Sequence, residues 1–470
     1  MDIKSFLNPK MYKKIGLLPP EALKYLLAQI EEMPNDEPDK PHMLRIAEIA
    51  KKTLMTHENN TQTKKTYNLQ RYFFLPFEKI IFSGELDQKL PGRISRTSMK
   101  NIWDYVCEQL IPNDIGEYEM AFKVSIQKKE VKKAKIIVNE FNRLVGQKLE
   151  EVVKACRKDE REWRRLGMAL GSKVIALDAE ELSYYLQNIP EIEKAIKYFA
   201  DEIIDLSGKQ LVSITNDITK IKDEKPSLFP FYVTLLIGSL KYSEHSMRII
   251  QKYYRIDDAS AASKSDLSLL GEGLIFNAKI HANNFETAFK NKQEGSVLLR
   301  HYQEYAKVIL GLERELEISP ISSWGKDIIA LRSKISININ QTITNCPKLI
   351  KNVLGKYQNI VGDVIAEPPI QFEIDELINC VELFYGIKNY IAASSCNAAY
   401  SSNFSRVIQS IELLSEAIVE QLRRECLSNQ KILLQYLEIA TILLRIIKSS
   451  EEAQIYKKGG LLAIRDTNTA

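Results

Sequence analysis

Between residues 130 and 170, Ile137, Phe141, Val145, Leu149, Val152, Cys156, Trp163, Leu166 and Leu170 recur at steps of three, four or seven. Lys, Arg and Glu fill many of the positions between them. Only a helix, with 3.6 residues per turn, gathers such positions onto one face. The stretch is therefore one long amphipathic helix, or two in tandem broken near Gly146 or Asp159. The pattern returns in Leu267, Leu270, Leu274, His281, Phe285 and Ala288, which share one helical face. It returns again in Leu298, Tyr302, Tyr305, Ile309, Leu312 and Leu316, a heptad seam under three heptads long and too short for a free-standing coiled coil. With a break at residues 291–295, these two runs predict an antiparallel helical hairpin. Further apolar-striped segments fall at residues 190–206, 209–221, 227–240, 244–254, 374–391, 404–422 and 432–447.

Glycine (19) and proline (16) are scarce in 470 residues, below the ~7% and ~5% of average usage. That disfavours a turn-rich β fold. The chain reads as mostly all-α: several packed helical domains or bundles, with long antiparallel helices toward the C-terminus. Polar breaks divide it into an N-terminal helical region (1–112), a middle helical domain (113–257), a C-terminal helical bundle (258–458) and a frayed tail (459–470) behind Gly459-Gly460. The first region holds helices near 20–30 and 42–54 and loops at 34–41 and 56–66, the second of which is the more mobile. Linkers are expected at 257–263 and at Pro368-Pro369. Leu177-Asp178-Ala179-Glu180-Glu181-Leu182 has the form of a capping box with a hydrophobic staple, predicting a helix start with Asp178 as N-cap. Two stretches alternate with period two, Tyr118 to Ile126 and Ile335 to Ile339, which leaves helix or strand open for 117–127 and 335–343, with helix favoured at the second.

Several functional classes lose support. The longest apolar runs, 228–240 and 433–447, fall short of the ~20 clean residues of a membrane span, so no span is expected. Residues 1–9 lack the basic and long apolar regions of a secretory signal, and the six cysteines are dispersed without a C-x-x-C motif; both suit a cytoplasmic, reducing location. No Walker A loop, G-x-S-x-G elbow, H-E-x-x-H or EF-hand loop is present, and Gly271-Glu272-Gly273 lacks the third glycine of a dinucleotide fingerprint. No cofactor is expected.

Three constellations merit weighing. Arg93, Ser95, Arg96, Thr97 and Ser98 precede a helix, where hydroxyls, free N–H groups and two guanidiniums together suit an anion; a capped helix start with exposed arginines is the competing reading. Lys123, Lys128, Lys129, Lys132, Lys133 and Lys135 against Glu130 give a local charge of +5, able to attract phosphate backbones or anionic lipid, or simply to solvate a helix face. His281 and His301, brought together by the hairpin with Glu304 one turn on, are expected as core histidines, and no metal is assigned.

With 65 Lys+Arg against 61 Asp+Glu, net charge names no partner. The leading expectation is a non-catalytic helical scaffold or protein–protein interaction protein, with a protein partner or self-association. The alternative is an anion- or nucleic-acid-binding protein using the basic loop and basic helix segment. The balance leans away from an enzyme, although a site assembled from distant residues stays open.

Overall fold

The structure, a computed structural model, describes residues 68–84, 89–356, 368–424 and 427–467, together with Leu27, Ile30 and Ala47. After α1 (Leu69–Phe74) and a 3-10 turn (Leu75–Ile80), two-residue strands β1 (Ile81–Phe82) and β2 (Ile94–Ser95) pair in parallel, Ile81 opposite Ile94. Among the described residues the elements that follow are helices: α2 (Arg96–Tyr105), α3 (Ile115–Gln127), α4 (Val131–Cys156), α5 (Glu160–Leu170), α6 (Lys173–Gln187) and α7 (Ile189–Tyr198). There follow α8 (Gly208–Glu224), α9 (Phe229–Ser239), α10 (Met247–Tyr254), the single turn α11 (Ala259–Ala262), α12 (Leu269–Lys290) and α13 (Gly295–Glu315). The chain continues with α14 (Ser323–Leu354), α15 (Gln371–Gly386), α16 (Asn397–Arg424), α17 (Leu427–Ile447) and α18 (Ser450–Thr467). The fold is all-α, as the periodicity predicts.

The chain forms two compact units, one of Met1–Phe73 with Asp114–Val138, the other of Phe74–Asn113 with Asn139–Ala470. In the first, Leu27, Ile30 and Ala47 are helical, with Ile30 and Ala47 buried; the rest of the expected helices and loops of residues 1–67 lies outside the described residues. Phe122 of α3 is buried, its ring centre 5.0 Å from that of Tyr72.

In the second unit α12 and α13 form the expected hairpin, joined by a tight turn in which Lys292 takes a left-handed backbone (φ 49°) and the N–H of Gln293 closes onto Ala288 O at 3.0 Å. Such a 6→1 bond satisfies a helix-end carbonyl that would otherwise be orphaned. Helices α14 and α15 pack on the hairpin and on each other, and α16, α17 and α18 pack together beyond them. Nearly every side chain of α9 is buried, as its unbroken apolar run requires. Gly271 and Gly273 serve packing: a Cβ on Gly271 would enter the Trp324 ring, and one on Gly273 would come 2.8 Å from Ile237 Cδ1. Gly146 does not break α4; it lets α6 approach, since a Cβ there would lie 2.9 Å from Leu186 Cβ. The break falls at Asp159, whose carboxylate caps α5 through the N–H of Arg161 at 2.8 Å.

Four sequence expectations are corrected or resolved. Both period-two stretches are helical, with burial at helical spacing: Phe122 and Ser125 are buried in the first, and in the second Ile335 and Ile339 are buried while Ile337 is 68% exposed. Asp178 is no N-cap; α6 starts five residues earlier, capped by Ser172 Oγ accepting from Ile175 N at 3.2 Å. Residues 257–263 are not a free linker, since Asp258 caps α11, Ala259 and Ala262 are buried, and Ala259 N donates to Glu317 O at 3.0 Å. The segment expected to fray from residue 459 stays helical through Thr467, with Gly460 set against Leu437. One proline, Pro347, sits inside the 32-residue α14.

Candidate functional site

The segment before α2 packs against two carboxylates of the protein's own, through Lys89 and the N–H groups of Gly92 and Ser95 and not through the arginine side chains. Mid-helix residues Asp178 and Glu181 are three apart on α6, so both carboxylates leave the same face. That face meets the loop. Lys89 Nζ lies 2.6 Å from Asp178 Oδ1 and 2.5 Å from Glu181 Oε2. Gly92 N–H donates to Glu181 Oε1 at 2.5 Å, Ser95 N–H to Asp178 Oδ2 at 3.3 Å, and Tyr185 O–H to Glu181 Oε1 at 2.6 Å. Burial pulls the Lys89 ammonium down, and the charges and hydrogen bonds of Glu181 and Asp178 outweigh it, so its pKa stands above the ordinary value. Gly92 has φ +81°, and a Cβ there would run into the Pro230 carbonyl; only glycine suits that approach.

The two guanidiniums expected to fork onto one oxyanion go to separate partners. Arg93 turns inward, donating to Asn277 Oδ1 at 2.8 Å over the Phe276 ring, and burial pushes its pKa down to about 10. Arg96 points outward to Glu78 at 3.2 Å. Ser95 and Thr97 share a hydroxyl contact of 2.8 Å, and Ser98 is buried. The six lysines of 123–135 are all exposed, on the first compact unit, whereas the arginine loop belongs to the second.

His281 and His301 come together across the hairpin, ring centres 6.0 Å apart, and burial lowers the pKa of both. Among the described residues no three His, Cys, Asp or Glu side chains gather as a metal set.

A groove of about 930 Å³ opens between the turn joining α12 to α13, the middle of α14 and the start of α15. Its α14 wall carries Asn338, Gln341 and Asn345, whose side chains make no hydrogen bond among the described residues. On the facing side, Glu294 and Glu382 form no ion pair among the described residues. Burial raises the pKa of Glu382 and the neighbouring Glu294 charge adds to it, against the Ser296 N–H that Glu382 accepts. Phe372, 59% exposed, stands at the rim beneath Lys292, whose Nζ is 4.8 Å from the ring centre and 3.6 Å from Glu376. The turn is locked to α15 by Gly295 N–H donating to Asn379 Oδ1 at 2.9 Å. Behind it, Cys380 reaches the buried Cys346 of α14, whose thiol is pushed up by hydrogen bonding to Cys380 and by burial.

Sequence reasoning missed this groove. The available signal was Asn338, Gln341 and Asn345 at helical spacing beside the Ile335, Ile339 and Ile343 stripe, an amide row where charges usually stand. No protein-family model, curated protein or solved structure matches the chain. No helix among the described residues is long and apolar enough to cross a membrane.

Proposed function

We propose that the protein is a helical interaction module that holds an extended, basic segment of a partner polypeptide in the groove between α14 and α15. The observation that carries the reading is the row of Asn338, Gln341 and Asn345, whose side chains make no hydrogen bond among the described residues, on a groove also lined by Glu294 and Glu382, which make no ion pair among them. Each Asn or Gln amide presents a donor and an acceptor side by side, the complement of a peptide group's C=O and N–H. Successive amides stand three and four residues apart, about 4.5 and 6 Å along the helix; the second step, Gln341 to Asn345, comes near the ~6.6 Å at which alternate peptide groups of an extended chain repeat. The carboxylates add charge preference: the groove's own cations, Lys290 and Lys292, already pair with Glu286 and Glu376, so Glu294 and Glu382 favour a Lys or Arg side chain from a partner. Phe372 and Lys292 at the rim supply an aromatic face and a fixed edge.

A positional-scanning library of nine-residue peptides, read by fluorescence polarisation, tests this. The expected result is selection of Lys or Arg at one or two positions, weakened about tenfold by Glu382→Gln, the loss of one partly screened charge-assisted hydrogen bond. Equal capture of acidic and basic peptides overturns the reading.

A further inference from the structure

The junction of α3 and α4 in the first compact unit is a second kind of surface. Helix α3 ends in a left-handed residue, Lys129 at φ 58°, with Glu130 N–H closing onto Ser125 O at 2.9 Å. Glycine is the usual residue at that position, and a lysine there puts a cation at the apex of a sharp turn. Lys123, Lys128, Lys129 and Lys132 are exposed and form no ion pair among the described residues; Lys133 makes one contact to Glu130 at 3.6 Å.

The apolar residues around the apex face the wrong way for a core. Helix α3 buries Phe122 and Ser125, while Met120 and Val124 on its opposite face are 71% and 38% exposed. Just past the turn Val131 is 73% exposed, and on α4 Ile136 is 56% exposed, opposite the buried Ala134, Ile137 and Val138. Exposed cations and exposed aliphatic side chains thus stand side by side through residues 120–136. A small anion would engage the lysines and leave the aliphatic side chains in water. No exposed aromatic ring stands among residues 120–136 on which a nucleic-acid base would stack. The headgroup layer of an anionic bilayer satisfies both features: its charge attracts the lysines, and the aliphatic tips enter the acyl boundary.

We infer that the α3–α4 junction docks the protein peripherally on an anionic lipid surface, through Lys123, Lys128, Lys129 and Lys132 with Val131 and Ile136 as the inserted apolar tips.

The test is co-sedimentation of the full chain with vesicles of phosphatidylcholine alone or with 30% phosphatidylserine. Binding is expected only to the anionic vesicles, falling as salt rises. Reversing Lys128, Lys129 and Lys132 to Glu removes attraction worth on the order of a hundredfold in affinity. A second variant, Val131→Ser with Ile136→Ser, leaves the charge intact and is expected to weaken vesicle binding about tenfold. All five positions are exposed, and an unchanged circular dichroism melt confirms folding of each variant. No binding to the anionic vesicles at low salt, equal binding to both compositions, or an unaffected charge-reversal variant overturns the inference. It is equally overturned if a homopolymer RNA displaces the vesicles while its own affinity ignores Val131→Ser/Ile136→Ser, which makes the junction a nucleic-acid contact.

Discussion

Replacing Lys89 with Met removes the ammonium that lies between Asp178 and Glu181 and keeps most of the unbranched side chain. The three side chains are nearly out of solvent, with exposures of 11%, 1% and 12%. Among the described residues, two carboxylates then remain with the N–H groups of Gly92 and Ser95 and the Tyr185 hydroxyl as donors. Breaking a buried pair from one side costs about 3–5 kcal/mol, because the charge left behind is uncompensated. An unfolding entropy of ~2.1 cal/mol/K per residue over the roughly 370 residues of the second unit makes this a fall in Tm of about 4–6 °C. Calorimetric melts at pH 7 read it, and adding Asp178→Asn to the Met variant is expected to recover part of the loss by removing one stranded charge. The pH dependence has a definite sign. Because the folded pKa of Lys89 is raised, its stabilisation is complete below the unfolded value near ~10.4 and is lost as pH rises through the folded value. The gap between wild type and Lys89→Met therefore stays constant from pH 7 to about 10 and narrows above it. A Met variant melting within 1 °C of wild type at pH 7 refutes the argument.

Gly271→Ala drives a methyl into the Trp324 ring and is expected to cost about 1–3 kcal/mol, whereas Gly116→Ala on α3 meets open space and gains up to ~1 kcal/mol; urea titration separates the two. Ser172→Ala strips the cap of α6 and is expected to cost ~1 kcal/mol in the same assay, restored largely by Ser172→Asp. The free pKa of Glu382 is raised by burial and by the Glu294 charge, so affinity for a basic peptide is expected to weaken on acidification from a pH above the ordinary carboxylate range. Calorimetry in buffers of different ionisation enthalpy, run within that falling range, reads the proton that binding draws off Glu382.

The helices were legible because burial obeys the 3.6-residue period over long stretches. The seam from Leu298 to Leu316 is the clearest case: Leu298, Tyr302, Tyr305, Ile309, Leu312 and Leu316 are all buried. Local grammar read less well where tertiary partners override it. Asp178 and Glu181 carry the spacing of a capping box, yet the same i, i+3 geometry serves two carboxylates facing inward. Their partner Lys89 is about ninety residues away, a separation no local pattern encodes. The residues named in the loop before α2 gave no sign of this pairing, since Arg93 and Arg96 go to Asn277 and Glu78 while the carboxylates of α6 meet Lys89 and the N–H groups of Gly92 and Ser95. Neither the groove nor the Cys346–Cys380 pair has a sequence motif, since α14 and α15 bring their residues together only after folding.

Pro347 has no N–H to offer the carbonyl one turn back at Ile343, so the backbone ladder of α14 is interrupted next to Asn345. In hydrogen-exchange terms, a 32-residue helix that would otherwise admit deuterium from its ends gains a third point of entry, at the groove wall itself. A peptide bonded across Asn345 would close that entry, making slowed exchange around residues 343–348 a signature of occupancy that needs no label on the ligand.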